Sequence, residues 1–194
     1  MKGKTIGFAL CGSFCTFSQA IPQMEALRGE GADIVPIMSQ TAAYTDTRFG
    51  RAEDFRAKIE DISGRRIITT IHDAEPIGPK SMLDLLVIAP CTGNTLSKLA
   101  LAVTDTSVTM AAKAHLRNGK PLLIALATND GLAGSGANLG TLLRAKSIYF
   151  VPLRQDGPLN KPASLVAVFE KLVPAAQAAL EGRQLQPLME GPPQ

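Results

Sequence analysis

The run Leu85-Leu-Val-Ile-Ala-Pro-Cys-Thr-Gly-Asn-Thr-Leu-Ser-Lys-Leu-Ala100 constrains the fold more than any other stretch of this chain. Leu85 to Ala89 are apolar without a polar break, which is the pattern of a parallel strand buried on both faces. Pro90 has no N–H to donate and is expected to end the ladder. Cys91 to Thr95 form a small polar turn, after which Leu96, Leu99 and Ala100 recur at helical spacing. A strand that empties into a polar loop opening a helix is where an open α/β sheet holds its ligand. Unpaired N–H groups at the helix start suit an anion. The same residues also satisfy an ordinary strand-to-helix turn with an Asn or Thr N-cap.

The rest of the chain alternates in the same way. Thr5 to Cys11 reads as a first strand, Phe17 to Arg28 as a helix with an Ile21, Met24, Leu27 stripe, and Asp33 to Met38 as a second strand. Pro36 suggests that this second strand is an edge. Gln40 to Gly50 reads as a loop, Ala52 to Ile62 as a helix stopped by Gly64, and Arg66 to Ile71 as a short β-branched strand. His72 to Lys80 carries Pro76, Gly78 and Pro79 and is read as irregular. Thr104 to Asn118 follows as a helix, with His115 placed to offset its C-terminal dipole. Pro121 to Ala127 is another buried strand, Asn138 to Lys146 a helix and Ser147 to Val151 the last strand. Pro162 to Leu180 reads as one long helix, and Gln186 to Gln194 as a mobile or intersubunit tail. The expected fold is a three-layer α/β/α, doubly wound, mainly parallel sheet of five or six strands. Residues 1–183 form its single domain and 184–194 its tail.

Composition excludes several classes. Of 194 residues, 45% are hydrophobic and 19% charged, as in globular proteins. No apolar run approaches the ~20 residues that span a bilayer. The N-terminus lacks the pattern of a signal peptide, so a cytoplasmic protein is expected, with no membrane partner. A net charge of +3, two Tyr and no Trp argue against nucleic acid. Three cysteines, Cys11, Cys15 and Cys91, do not make a disulfide framework, and Cys11-x3-Cys15 has the wrong spacing for a zinc knuckle, so no metal is expected.

The candidate ligand loops exclude two nucleotide signatures. No G-x-G-x-x-G follows the first strand, no acidic residue closes the second, and no Gly-Lys-Ser/Thr marks a P-loop. Ser13, Thr16, Ser39 and Thr41 offer neutral hydroxyls instead, which fits a mononucleotide phosphate. Thr128 to Ala137, rich in Gly and Ser, is a second candidate contact loop, read as a lid or a close wrap. His72, Asp73 and Glu75 form an acid–base cluster or a solvated loop.

Ala89-Pro-Cys-Thr-Gly-Asn-Thr-Leu-Ser-Lys-Leu-Ala100, followed by Thr104-Asp105, resembles the signature of the homo-oligomeric FMN-containing cysteine decarboxylase superfamily. The resemblance implies a Rossmann-like flavoprotein fold and FMN bound at subunit contacts in a trimer or a multiple of it. Carried over, Gly12, Ser13 and Ser39 would lie against the ribityl phosphate, and Pro90, Thr92, Asn94 and Thr95 along the flavin and its phosphate.

Within the superfamily the chain is most similar to the B-subunit family of dipicolinate synthases. The similarity is carried by Lys2-Gly-Lys-Thr-Ile-Gly-Phe8, Thr47-Arg-Phe-Gly50, Ala74-Glu-Pro-Ile-Gly-Pro-Lys80, Met110-Ala-Ala-Lys-Ala114, Thr128-Asn-Asp130 and Gln184-Leu-Gln-Pro187. It implies oxidation of dihydrodipicolinate, or its hydrated precursor, to dipicolinate in the mother cell of a sporulating bacterium. The partner would be the synthase's A-subunit, carrying NADP. For the dicarboxylate substrate the candidate contacts are Arg48, Lys80, Lys98 and Asn129, and the polar groups nearest a catalytic role are Asn129 and His72.

Two departures weigh against a decarboxylase. The decarboxylases' His-Ile pair is replaced by Glu75-Pro76-Ile77, with His72 out of register, and Leu126-Ala-Thr-Asn129 stands for Pro-Ala-Met-Asn. An FMN-dependent decarboxylase of a cysteinyl acid and a flavin-free scaffold are the alternatives. Gly93, where the decarboxylases often have Ala, is compatible with either.

Overall fold

The computed structural model describes residues 1–191. Its centre is a seven-stranded sheet, one or two strands more than the sequence suggests. The strands are β1 (Thr5–Leu10), β2 (Asp33–Met38), β3 (Leu85–Cys91), β4 (Leu122–Thr128), β5 (Ile148–Phe150), β6 (Leu153–Arg154) and β7 (Leu165–Ala167). Their order is β2-β1-β3-β4-β7-β6, with β5 beside the first half of β4. Strands β1 to β5 are parallel, while β7 runs antiparallel to β4 and to β6. Every residue of β3 is buried, as expected for a strand covered on both faces.

The helices are α1 (Phe17–Gly29), α2 (Gln40–Tyr44), α3 (Ala52–Ser63), α4 (Ile71–Ala74), α5 (Gly93–Ala100), α6 (Ser107–Leu116), α7 (Gly136–Leu143) and α8 (Leu172–Leu180). Helices α1, α3 and α8 pack together on one side of the sheet; α4, α5, α6 and α7 form the other layer. This is the three-layer, doubly wound, mainly parallel arrangement. Among the described residues no helix is long and apolar enough to cross a membrane.

Several local expectations give way. Strand β3 runs on through Pro90 to Cys91, with a register irregularity after Ile88, because Cys91 still pairs with Leu126. Gln40 to Tyr44 is a helix rather than a loop, since Ser39 caps it by accepting from the Ala42 N–H at 3.3 Å. Arg66 to Ile71 is no full strand. Ile68 alone bridges to Ile37, donating to the Pro36 carbonyl and accepting from the Met38 N–H, both at 2.9 Å. That outer side of β2 is where Pro36 costs no ladder bond. Residues 71–77 form two single helical turns ending in a 3-10 turn at Glu75–Ile77.

The stretch read as one helix over 162–180 is divided. Leu165 to Ala167 pairs with the end of β4, Phe169 to Lys171 is a 3-10 turn, and only Leu172 to Leu180 is α-helical. An apolar run long enough for a helix satisfies a short buried strand equally well when a sheet edge is available.

His115 is buried rather than a surface cation: it is 1% exposed, and its Nε2 lies 2.8 Å from the Pro121 carbonyl oxygen. Burial pushes its pKa below the ordinary 6.5, so the ring is held neutral. Much of the 184–194 tail, read from Gln186 on as mobile or intersubunit, lies along the domain. The Gln184 amide accepts from the Phe150 N–H at 2.8 Å and donates to the Phe150 carbonyl at 2.7 Å, closing the outer edge of β5. Met189 bridges to Leu153, and Lys171 pairs with Glu190. The last part of the expected tail, residues 192–194, lies outside the described residues.

Two outcomes test these assignments. Gln184→Leu leaves the buried Phe150 backbone without partners and should cost about 1 to 3 kcal/mol in urea unfolding. His115 binds fewer protons folded than unfolded, so stability should fall as pH drops below 6.5 through its lowered pKa. His115→Gln should flatten that window in unfolding curves recorded at successive pH values.

Candidate functional site

Parallel strands β1, β3 and β4 end on the same edge of the sheet, and the loops that leave them surround a cleft of about 720 Å3. That volume lies within the range of small-molecule sites. Gly12, Ser13 and Cys15 line it from the end of β1; Thr92, Gly93, Asn94 and Ser97 from the end of β3; Thr128, Asn129 and Asp130 from the end of β4. Asp156, Lys161 and Ser164, from the segment linking β6 to β7, and Phe49, from the loop before α3, complete the lining.

Helix α5 opens into this cleft. Thr92 is its N-cap: Thr92 Oγ1 accepts from the Thr95 N–H at 3.2 Å and donates to Thr95 Oγ1 at 3.1 Å. The first-turn amides of Gly93 and Asn94 have no carbonyl to bond within the helix and bring its positive end to the cleft. Thr95 Oγ1 points inward and donates to the buried Cys11 sulfur at 3.3 Å. Cys11 is pushed up to about 11 by burial, opposed by the Thr95 hydroxyl. Cys91 is also raised by burial, so both thiols are neutral filler behind the loop.

The β4 end has the opposite character. Asp130 Oδ1 accepts from Thr128 Oγ1 at 2.5 Å and from Ser135 Oγ at 2.9 Å. Those hydroxyls hold its carboxyl below the ordinary 3.8. Asp156 is likewise lowered, by the Ser164 hydroxyl and then Lys161, whose Nζ lies 3.0 Å away. The β1 side of the cleft is therefore neutral and rich in donors, whereas Asp130 packs against Gly93 at the start of α5, and Asp156 pairs with Lys161. Residues 128–136 are a tied turn rather than a lid: the Ala133 and Ser135 amides donate to the Asp130 carbonyl at 2.9 and 3.1 Å.

The geometry brings Gly12, Ser13, Thr92, Asn94 and Asn129 to one cleft. Ser39, Pro90 and Thr95 stand behind its wall, buried and off its surface. Arg48 is adjacent: the Thr47–Gly50 turn is closed by two backbone hydrogen bonds of 3.1 Å and presents Phe49 to the cleft, with the Arg48 guanidinium 4.9 Å from the ring centroid. Lys80 is not part of the cleft. It precedes β3, at the amino edge of the sheet, and seven strand residues at about 3.3 Å each separate that edge from the site. Lys98 is engaged by Asp105 at 2.8 Å and does not line the cleft. His72 is exposed on α4, which packs on α6, and does not reach the cleft. Nor is Gly93 spare room. A Cβ there would come within 2.6 Å of Thr128 Oγ1, 2.8 Å of Ser135 Oγ and 3.0 Å of Asp130 Oδ1.

Sequence reasoning missed Asp130, Asp156, Lys161 and Ser164 as cleft residues. Asp130 lay inside the Gly/Ser-rich loop already marked for ligand contact. The other three were hidden because the strand that positions them, β7, reads as helix. Among the described residues no cluster of three or more His, Cys, Asp or Glu could hold a metal.

Residues 1–154 match the model of the Flavoprotein family. The dipicolinate synthase B-subunit of Bacillus subtilis (strain 168) is 47% identical over 189 residues, 97% of this chain and 94% of that protein. The crystal structure of the dipicolinate synthase B-subunit from Bacillus halodurans C superposes with a TM-score of 0.90 at 47% identity, covering 97% of each chain. The FMN-dependent cysteine decarboxylase SpaF shares the fold, with a TM-score of 0.65 at 22% identity over 92% of this chain and 98% of its own. A domain-length family match, with near-identical architecture in a relative that shares almost half its residues, places this chain in the flavoprotein family and, within it, in the family of dipicolinate synthase B-subunits.

Proposed function

We propose that this chain is the flavin-carrying component of a dipicolinate synthase, binding FMN in the cleft at the ends of β1, β3 and β4. It would serve the oxidation of dihydrodipicolinate, or its hydrated precursor, to dipicolinate, beside an A-subunit that carries NADP. The observation that carries this reading is the neutral, donor-rich end of the cleft, where Ser13, Thr92 and the first amides of α5 converge. Uncharged hydroxyls and helix-start amides suit a phosphate monoester. The absent dinucleotide fingerprint agrees with NADP lying on another chain.

The donor set fits the group. Gly12, Ser13, Thr92 and Asn94 would hold the phosphate on the β1 side of the α5 start, because the Asp130 carboxylate packed against Gly93 repels an anion from the other side. Ser39, Pro90 and Thr95 would support the wall from behind rather than touch the nucleotide. A bound flavin supplies an acceptor for a hydride.

The chain's own part is recognition. Asn129 offers an amide to the substrate, and Arg48, steadied over Phe49, offers a guanidinium to a carboxylate. An edge cleft open to solvent suits closure by further protomers, so a trimer or a multiple of it belongs to this reading. The setting it implies is the cytoplasm of a sporulating mother cell.

Purified protein should turn yellow with FMN and quench its fluorescence. Ser13→Ala and Asn94→Ala should each weaken that binding about tenfold or more, the scale of one lost hydrogen bond to a charged group. With the A-subunit, NADP and dihydrodipicolinate supplied, adding this chain should accelerate formation of the aromatic product. Arg48→Ala should raise KM with kcat largely kept. A protein that takes up no FMN yet still accelerates its NADP-carrying partner would support the scaffold alternative and end the flavin proposal.

A further inference from the structure

We propose that Asp130 is the positioning residue of the cleft: it locks the turn at residues 128–136 onto the first turn of α5, and so fixes Asn129 relative to the Gly93 and Asn94 amides. The inference takes its choice of ligand from the flavin reading but is otherwise drawn from the geometry of this turn.

Three sets of contacts meet at this one residue. Its Oδ1 gathers the hydroxyls of Thr128, at the end of β4, and Ser135, the residue before α7. Its carbonyl takes the Ala133 and Ser135 amides, so side chain and backbone close the same turn. The turn in turn rests on α5. The absent side chain of Gly93 is what lets the helix start approach Thr128, Ser135 and Asp130, and any Cβ there would be 3.0 Å or less from all three. Further along, Asn138 of α7 donates to Ser97 of α5 at 2.9 Å, and Ser97 donates to the Gly93 carbonyl at 2.9 Å, so the two helices are tied on both sides of the turn.

The charge is placed for the same purpose. Among the described residues no Lys or Arg pairs with Asp130; it is held by hydroxyls and by its nearness to the positive start of α5. A hydroxyl bonded to a carboxylate is held more tightly than one bonded to a neutral acceptor. The lowered pKa keeps that carboxylate ionised throughout the neutral range. Asn129, next in the chain and facing the cleft, inherits its placement from this lock.

Two measurements decide the matter on Asp130→Ala, Asp130→Asn, Gly93→Ala and the Asp130→Ala/Gly93→Ala double variant. They are amide hydrogen exchange of the ligand-free protein and FMN titration by fluorescence quenching. Asp130→Ala should speed exchange at residues 132–136 and at Thr95 and Leu96, the first hydrogen-bonded amides of α5, by about tenfold or more, without global unfolding. It should weaken FMN binding about tenfold. Asp130→Asn, whose Oδ1 still accepts both hydroxyls, should restore both to within about threefold. Gly93→Ala should reproduce Asp130→Ala, and the double variant should be no worse than either, because both break one unit.

Unchanged exchange in Asp130→Ala overturns the proposal. So does faster exchange with FMN affinity intact, and so does an additive double variant. If the wild-type protein takes up no FMN, the flavin reading fails, while exchange at Thr95 and Leu96 still decides whether Asp130 sets the helix start.

Discussion

Burying a parallel sheet on both faces leaves only its edges and ends for chemistry. Strands β1, β3 and β4 are sealed between α1, α3 and α8 on one side and α4 to α7 on the other. Their backbone polar groups are used up in the ladder, and β3 has no exposed residue. Polar groups without partners can therefore collect only where strands stop and helices begin. All these strands run the same way, so their ends form one row rather than two. The cleft is the consequence of that row. The location of Gly12, Thr92 and Asn129 in one place follows from strand direction before any side chain is considered.

Within the row the two ends are built for different work. Near β1 and the start of α5 the groups are hydroxyls, amides and a helix terminus, all of them donors to an anion. Near β4 and β7 the groups are Asp130, whose carboxylate reaches Gly93 at the α5 start, Asp156 and a lysine already engaged. The carboxylates are held ionised by groups close at hand, Thr128 and Ser135 for Asp130, Ser164 and Lys161 for Asp156, so this difference persists across neutral pH. Ser164 comes from the segment linking the antiparallel strands β6 and β7, which lines the cleft beside Asp156.

The alternation of strand and helix, the buried centre at Leu85 to Ala89 and the polar turn at Thr92 to Asn94 were legible because each rests on local physics. Unbroken apolar runs mark two-sided strands, and small polar residues before an apolar stripe mark a helix start. Gly12, Ser13 and Asn129 were legible as cleft residues for the same reason: they follow such strands directly. That Lys80 and His72 lie off the cleft was not legible, because charge and chemical type say nothing about which end of a sheet a residue occupies. Cations look alike in sequence, and Lys98 differs from a free one only through Asp105, seven positions on.

The layered parallel architecture, and the edge on which a ligand must sit, were written into the order of residues, since both follow from hydrophobic periodicity and strand polarity. The acidic half of the site was settled in three dimensions. Leu165 to Ala167 is a strand only because the end of β4 offers it unpaired backbone groups. Asp130 is a fixed carboxylate only because Thr128, Ser135 and a side-chain-free Gly93 converge on it. Gln184 closes an edge strand from 34 residues away. Contacts of this kind depend on which elements meet in space, and no local pattern encodes that.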